Sequence, residues 1–298
     1  MLSSIVGQEQ AVRLLQQAVK TQKIAPAYLF VGMAGIGKSL AASGFASQLL
    51  ATDSPKSHPD LLWVEPTYSD RGNLITLSQA EADNIKKKAA PKIRIEQVRQ
   101  ISQFLLRRPL KSDRLIVIVE DAQLMAESPA NALLKTLEEP GRGIIILLAP
   151  TLESLLPTIV SRCQVVRFTP LSEAQLHQVL TQEGYEKAKQ NHSLISMAQG
   201  SPGTAISAFQ QLETLEPELL TQLTSLPNNL LSALMLAKKI AQLELPTQLW
   251  LTDYLQHYYW QQQQSIVRVK LCEESRKYLS SYVQPRLVWE NLLLASCQ

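Results

Sequence analysis

Apolar positions recur at two different periods along the first 170 residues, and their alternation predicts the architecture. Val12, Leu15, Ala18 and Val19 fall at helical spacing, with Ala11 and Leu14 widening the stripe, so an amphipathic helix is expected there. Pro26 breaks that pattern, and Ala27–Val31 is a short apolar run suited to a strand. Leu40–Leu50 fits a helix, and Leu61–Val64 is a second strand candidate. Ile95, Val98, Ile101 and Leu105 form the apolar stripe of a helix over Arg94–Arg108, ended by Pro109. Leu115–Val119 and Ile144–Leu148 are continuous apolar runs, which is how strands buried on both faces of a parallel sheet read. Between them Ala130–Glu139 reads as a short helix stopped by Pro140-Gly141. Leu155–Val160 reads as a strand and turn, and Val165–Phe168 as a last strand. Strands alternating with helices predict an α/β core around a parallel sheet.

Beyond Pro170 the pattern is helical. Ser172-Glu173-Ala174-Gln175 has the form of an N-cap opening a helix, and Gly200-Ser201-Pro202-Gly203 is a clear break. Residues 211–298 are rich in Leu and Gln, broken at Pro217, Pro227, Pro246 and Pro285, and read as a separate all-helical domain. Residues 66–92 look like an insertion, with a turn at Gly72-Asn73 and the charge run Lys86-Lys87-Lys88. That run is either a solvated face or a contact to a nucleic-acid backbone.

A chain of 298 residues suits two or three domains. Its net charge of +3 permits contact with nucleic acid without arguing for it. Cys163, Cys272 and Cys297 lie far apart, without metal-ligand spacing, and fit a reducing cytosol. The N-terminus lacks the basic start and apolar core of a signal peptide, and no apolar run reaches membrane-spanning length. A cytoplasmic protein with no membrane contact is therefore expected.

The chemistry concentrates in Gly32-Met33-Ala34-Gly35-Ile36-Gly37-Lys38-Ser39, which has the form G-x-x-x-x-G-K-S between a strand and a helix. In such a loop Gly32, Gly35 and Gly37 let backbone N–H groups close around phosphates, Lys38 reaches the terminal phosphates, and Ser39 ligates Mg²⁺. The flanking order of strand and helix argues against a chance glycine-rich turn. Nucleotide chemistry also needs acids at the end of a second strand. Glu120-Asp121 closes Leu115–Val119 in the reverse of the usual Asp-Glu order. Glu120 can still reach the Mg²⁺ hydration shell, whereas Asp121 is one methylene short as the group polarising a water. Bound ATP or ADP with Mg²⁺ and slow hydrolysis are the expectation. Ile5-Val6 either cradles a purine or staples the N-terminus to the core. Arg162 stands among small residues and is either a surface charge pair or an arginine offered to a neighbour's phosphoryl group.

Two longer elements carry a family resemblance. Ser128–Pro140 reads S-P-A-N-A-L-L-K-T-L-E-E-P and Leu156–Cys163 reads L-P-T-I-V-S-R-C; with the phosphate loop they resemble the bacterial clamp loader of DNA polymerase III, an AAA+ family. His58-Pro59-Asp60-Leu61 and Gly200-Ser201-Pro202-Gly203 place the resemblance on its delta-prime branch. The resemblance implies an AAA+ P-loop core at 1–169, a helical lid at 170–208 and a helical collar for oligomerisation at 209–298. It implies Arg162 as an arginine finger in trans, Thr151 as a sensor-like residue, and Ile5, Val6 and Leu40 beside the nucleotide. No zinc is implied, because the four cysteines of the family's zinc module are absent. Implied partners are gamma/tau and delta subunits in a pentamer, the sliding clamp, and primer-template DNA through the assembled complex. The reversed acids and a missing sensor arginine near Gly203 separate the chain from gamma/tau, the ATP-hydrolysing alternative.

Overall fold

The computed structural model of the chain describes residues 2–70, 73–76, 79, 90–225, 229–281 and 283–296. The chain divides into two compact units, Met1–Gln175 and Leu176–Gln298. Gly72, Lys86–Lys88, Pro227 and Cys297, which the sequence singled out, lie outside the described residues.

The first unit is built on five parallel strands: β1 (Ala27–Val31), β2 (Leu61–Val64), β5 (Leu115–Val119), β6 (Gly143–Ala149) and β7 (Gln164–Arg167). Their spatial order is β2-β5-β6-β1-β7. β1, β5 and β6 are buried at every position, as uninterrupted apolar runs require when helices cover both faces. The helices are α1 (Glu9–Thr21), α2 (Lys38–Leu50), α3 (Ile95–Leu105) and α4 (Glu127–Glu138). On one face Val98, Ile101, Leu133 and Leu137 pack with Leu29, Val117 and Ile145 in a continuous core.

Two sequence expectations change. Leu155–Val160 is not a strand and turn: a one-turn helix, α5 (Pro157–Val160), occupies it, with Ile159 buried. Pro157 stands in its first turn, where the missing N–H has no intrahelical partner to lose and the fixed φ suits the helix. The insertion after β2 contains an antiparallel hairpin, β3 (Thr67–Asp70) with β4 (Asn73–Thr76), and Asn73 belongs to a strand. Thr67 also pairs with Lys92, closing the insertion at its base.

The second unit is helical. α6 (Glu173–Gln182) begins at the boundary, with Ser172 and Gln175 exchanging side-chain to backbone bonds as a capping box. α7 (His192–Ala198), α8 (Pro202–Thr214), α9 (Pro217–Ser225), α10 (Leu230–Ile240), α11 (Leu245–Gln263), α12 (Ile266–Ser280) and α13 (Pro285–Ser296) follow. The prolines read as breaks open helices: Pro202 and Pro246 sit in first turns, and Pro217 and Pro285 begin α9 and α13. Leu236, Leu251, Leu255, Tyr259, Cys272 and Trp289 make one core.

Candidate nucleotide site and the arginine corner

Parallel strands put all their C-terminal ends on one edge of the sheet. The register Val31↔Ala149 and Val119↔Leu147 brings the ends of β1, β6 and β5 side by side there. The Gly32–Ser39 loop and Glu120-Asp121 directly follow β1 and β5, and Thr151 comes two residues after β6, on the edge where open α/β sheets bind ligands.

The loop has the geometry of a phosphate cradle. Gly37 caps α2 at φ 103°, in the left-handed region that side chains avoid. Gly32 lies so close to β7 that a Cβ there would stand 2.7 Å from the Phe168 carbonyl oxygen. α2 starts at Lys38, so its free N–H groups and positive dipole end face the loop. The Lys38 ammonium donates to the Gly32 and Met33 carbonyls, at 2.5 and 2.8 Å. Burial lowers its pKa, while the charges of Asp121 and Glu120 oppose that shift.

The two acids are placed differently. Glu120 is partly buried and accepts a hydrogen bond from the Ser39 hydroxyl. Burial raises its pKa; the Ser39 bond and Lys56 lower it, and the carboxylates of Glu65 and Asp121 raise it. Asp121 is exposed, has a left-handed backbone (φ 46°), and accepts from the Gln123 side-chain amide at 3.0 Å. A hydroxyl paired with a carboxylate beside a phosphate loop is the donor set that Mg²⁺ takes with a nucleotide. The residues present therefore fit Mg²⁺ with a nucleoside phosphate. Among the described residues no cluster of three or more His, Cys, Asp or Glu side chains has the geometry to hold a metal by itself.

Sequence reasoning missed Glu65 and Lys56. Glu65 directly follows β2, and that position was its available signal, since every residue just past a parallel strand lies on the ligand edge. Thr151 lies two residues past β6 and is exposed; its hydroxyl bonds Glu153. Ile5 and Val6 are partly buried, and a Cβ on Gly37 would meet Ile5 Cγ2 at 4.0 Å. The neighbouring Gln8 fixes this segment, its amide donating to Thr169 O at 2.8 Å and accepting from Thr169 N at 3.0 Å. Leu40, in the first turn of α2, is 70% exposed.

Arg162 is elsewhere. It precedes β7, whose Gln164 pairs with Tyr28 near the start of β1. It therefore lies toward the opposite edge of the sheet, separated from Gly32 by four strand residues or ~13 Å. Its guanidinium donates to Glu138 Oε1 from Nε at 2.8 Å and from Nη2 at 2.5 Å, and from Nη1 to the Thr158 carbonyl at 3.0 Å. Cys163, beside it, packs against the core, and burial pushes its thiol up to about 12.

A family model described as DNA polymerase III, delta subunit, matches residues 7–172, and one described as the C-terminal domain of cyanobacterial DNA polymerase III delta prime matches residues 174–296. The delta' subunit of Pseudomonas aeruginosa is 32% identical over 200 residues, 61% of this chain and 55% of that protein. The tau/gamma subunit of Haemophilus influenzae is 29% identical over 207 residues, 68% of this chain and 29% of its own length. The chain thus spans little more than half, or less, of these relatives. A crystal structure of a DNA polymerase III gamma subunit-related protein from Thermotoga maritima shares the fold, with a TM-score of 0.53 and 19% identity over 95% of this chain and 98% of that one. With one model over more than half of its residues and the other over nearly all the rest, the chain belongs to the DNA polymerase III delta-prime family of clamp-loader subunits.

Proposed function

We propose that this chain serves a clamp loader as a nucleotide-holding scaffold that supplies Arg162 to a neighbouring subunit. The observation carrying this reading is the placement of Arg162 toward the sheet edge opposite the Gly32–Ser39 loop. An arginine so placed cannot reach a phosphate in its own loop. If it neutralises phosphoryl charge, it does so at another subunit's nucleotide.

At its own loop, the backbone N–H groups around Gly35 and Gly37 with Lys38 would hold the phosphates of ATP or ADP. Ser39 and Glu120 would hold Mg²⁺, and Ile5, Val6 and Leu40 would border the rest of the nucleotide. The bound nucleotide would supply charge that these groups fix in place. Asp121 is turned toward Gln123, which supports weak hydrolysis here. Thr151, bonded to Glu153, is a sensor only if that bond gives way. The division into a core at 1–169, a lid at 170–208 and a collar at 209–298 belongs to the same proposal. So do gamma/tau and delta subunits as partners, and the sliding clamp and primed DNA as the targets of the assembled complex.

The test is reconstitution with gamma/tau and delta subunits. Arg162→Ala should leave assembly and nucleotide binding by this chain intact. It should lower DNA-stimulated ATP hydrolysis at the site it serves by about 10³-fold or more. Unchanged hydrolysis would refute the trans role. The gamma/tau-like alternative separates cleanly, because it requires rapid ATP turnover by the isolated chain.

A further inference from the structure

Arg162 is held by two helix ends. Glu138 is the last residue of α4, where the helix dipole disfavours a carboxylate and favours a cation. Thr158, whose carbonyl Arg162 also engages, lies in the single turn of α5. The guanidinium thus sits in a corner made negative by a carboxylate and by carbonyl oxygens. Nε and Nη2 both donate to Glu138 Oε1, which fixes the plane and the roll of the group. A guanidinium has five N–H donors. Among the described residues these bonds, with a long one from Nη1 to Ser161 Oγ at 3.4 Å, leave the second Nη2 hydrogen uncommitted. The side chain remains 36% exposed and Glu138 50% exposed. An ion pair that open adds little to stability, so stability does not account for its geometry. Its evident effect is to immobilise one edge of the guanidinium and leave the outer tip available.

We infer that Glu138 is a positioning residue for Arg162: it restrains the guanidinium from behind so that its free tip meets a neighbour's phosphoryl oxygens without first being ordered. The inference rests on the trans role proposed for Arg162. A flexible arginine loses rotamer freedom when it docks, and one already aligned avoids that loss at the moment of reaction.

The experiment uses the full chain reconstituted with gamma/tau and delta subunits, carrying Glu138→Ala, Glu138→Gln or Arg162→Ala, and Glu138→Ala combined with Arg162→Ala. Glu138→Ala should lower kcat at the served site about 10- to 100-fold, as misplacement of a catalytic group does, with KM for ATP nearly unchanged. Glu138→Gln, whose amide oxygen still accepts from Nε, should retain most activity. In the Arg162→Ala background Glu138→Ala should add nothing. In the isolated chain the Arg162 Nε–H should exchange faster with solvent once Glu138 is Ala. If Arg162→Ala lowers turnover and Glu138→Ala does not, the positioning role is overturned while the trans role stands. An equal loss from Glu138→Ala with or without Arg162 would show that it acts through structure and would also overturn it. If Arg162→Ala changes nothing, the trans reading falls and this inference falls with it.

Discussion

Asp60 shows how much of the scaffold can rest on one side chain. It is buried just ahead of β2, and its carboxylate accepts from the backbone N–H groups of Leu110, Lys111 and Ser112 at 2.6, 2.8 and 2.9 Å and from the Ser112 hydroxyl at 2.9 Å. Burial alone would raise its pKa; the four donors outweigh that and hold it at about 2. A depressed carboxylate contributes stability that is fully present above its unfolded pKa, near 3.8, and lost as pH falls through the folded value. Asp60→Asn should therefore lower unfolding free energy by about 2 kcal/mol at pH 7. The gap from the unaltered chain should narrow between about pH 4 and pH 2. Urea titrations of both proteins across that range check this; a gap constant with pH would assign the loss to packing. None of it was legible in His58-Pro59-Asp60-Leu61, which as sequence offers a family motif and no partner. Glu120 was legible because its place just past an apolar run fixed its edge of the sheet. Glu138 was not, because its partner lies 24 residues away on a different element.

At the scale of elements, periodicity carried the helices α1 and α3, and the fully apolar strands were plain because burial on both faces leaves an unmistakable run. It failed where local backbone chemistry overrides pattern. Pro157 starts a helix in a stretch whose apolar residues read equally well as a strand, and β3 and β4 are short and largely polar, paired with each other outside the main sheet. The contact between β1 and β7 was also invisible, although a glycine marked it. A methyl group on Gly32 would press on the Phe168 carbonyl oxygen at 2.7 Å and on its Cβ at 2.9 Å. Phe168 continues β7, with its N–H bonded to the Val31 carbonyl, so neither strand yields without breaking the ladder. Gly32→Ala should cost about 1–3 kcal/mol by overpacking and should also weaken nucleotide binding, because the same shift moves the start of the loop. Denaturant unfolding together with titration of a fluorescent ATP analogue measures both effects. Unchanged stability would mean that β7 moves freely.

At the scale of the whole molecule, the sequence reads as an α/β part followed by helices, and a helical part is the least informative pattern to read. Amphipathic stripes say which faces are buried and not which helices share a core. In the unit Leu176–Gln298 that core closes on Trp289 of α13, which is fully buried and donates from its indole nitrogen to Gln248 Oε1 at 2.8 Å. The Gln248 amide in turn donates to the Leu243 carbonyl at 2.7 Å, tying α11 to the turn before it. Trp289→Ala removes the largest fully buried side chain among the described residues and leaves Gln248 Oε1 without its donor, and should cost about 3–5 kcal/mol. Trp289→Phe keeps most of the volume but loses the hydrogen bond with the outer part of the indole, and about 1–3 kcal/mol is expected for the unsatisfied amide oxygen. Hydrogen exchange read element by element tests both variants. Protection should fall in α10, α11, α12 and α13, and more for Ala than for Phe. Equal losses for the two would make the indole hydrogen bond, rather than its bulk, the closure of this core. Equal loss of protection in β1, β5 and β6 would show the two compact units unfolding as one cooperative body.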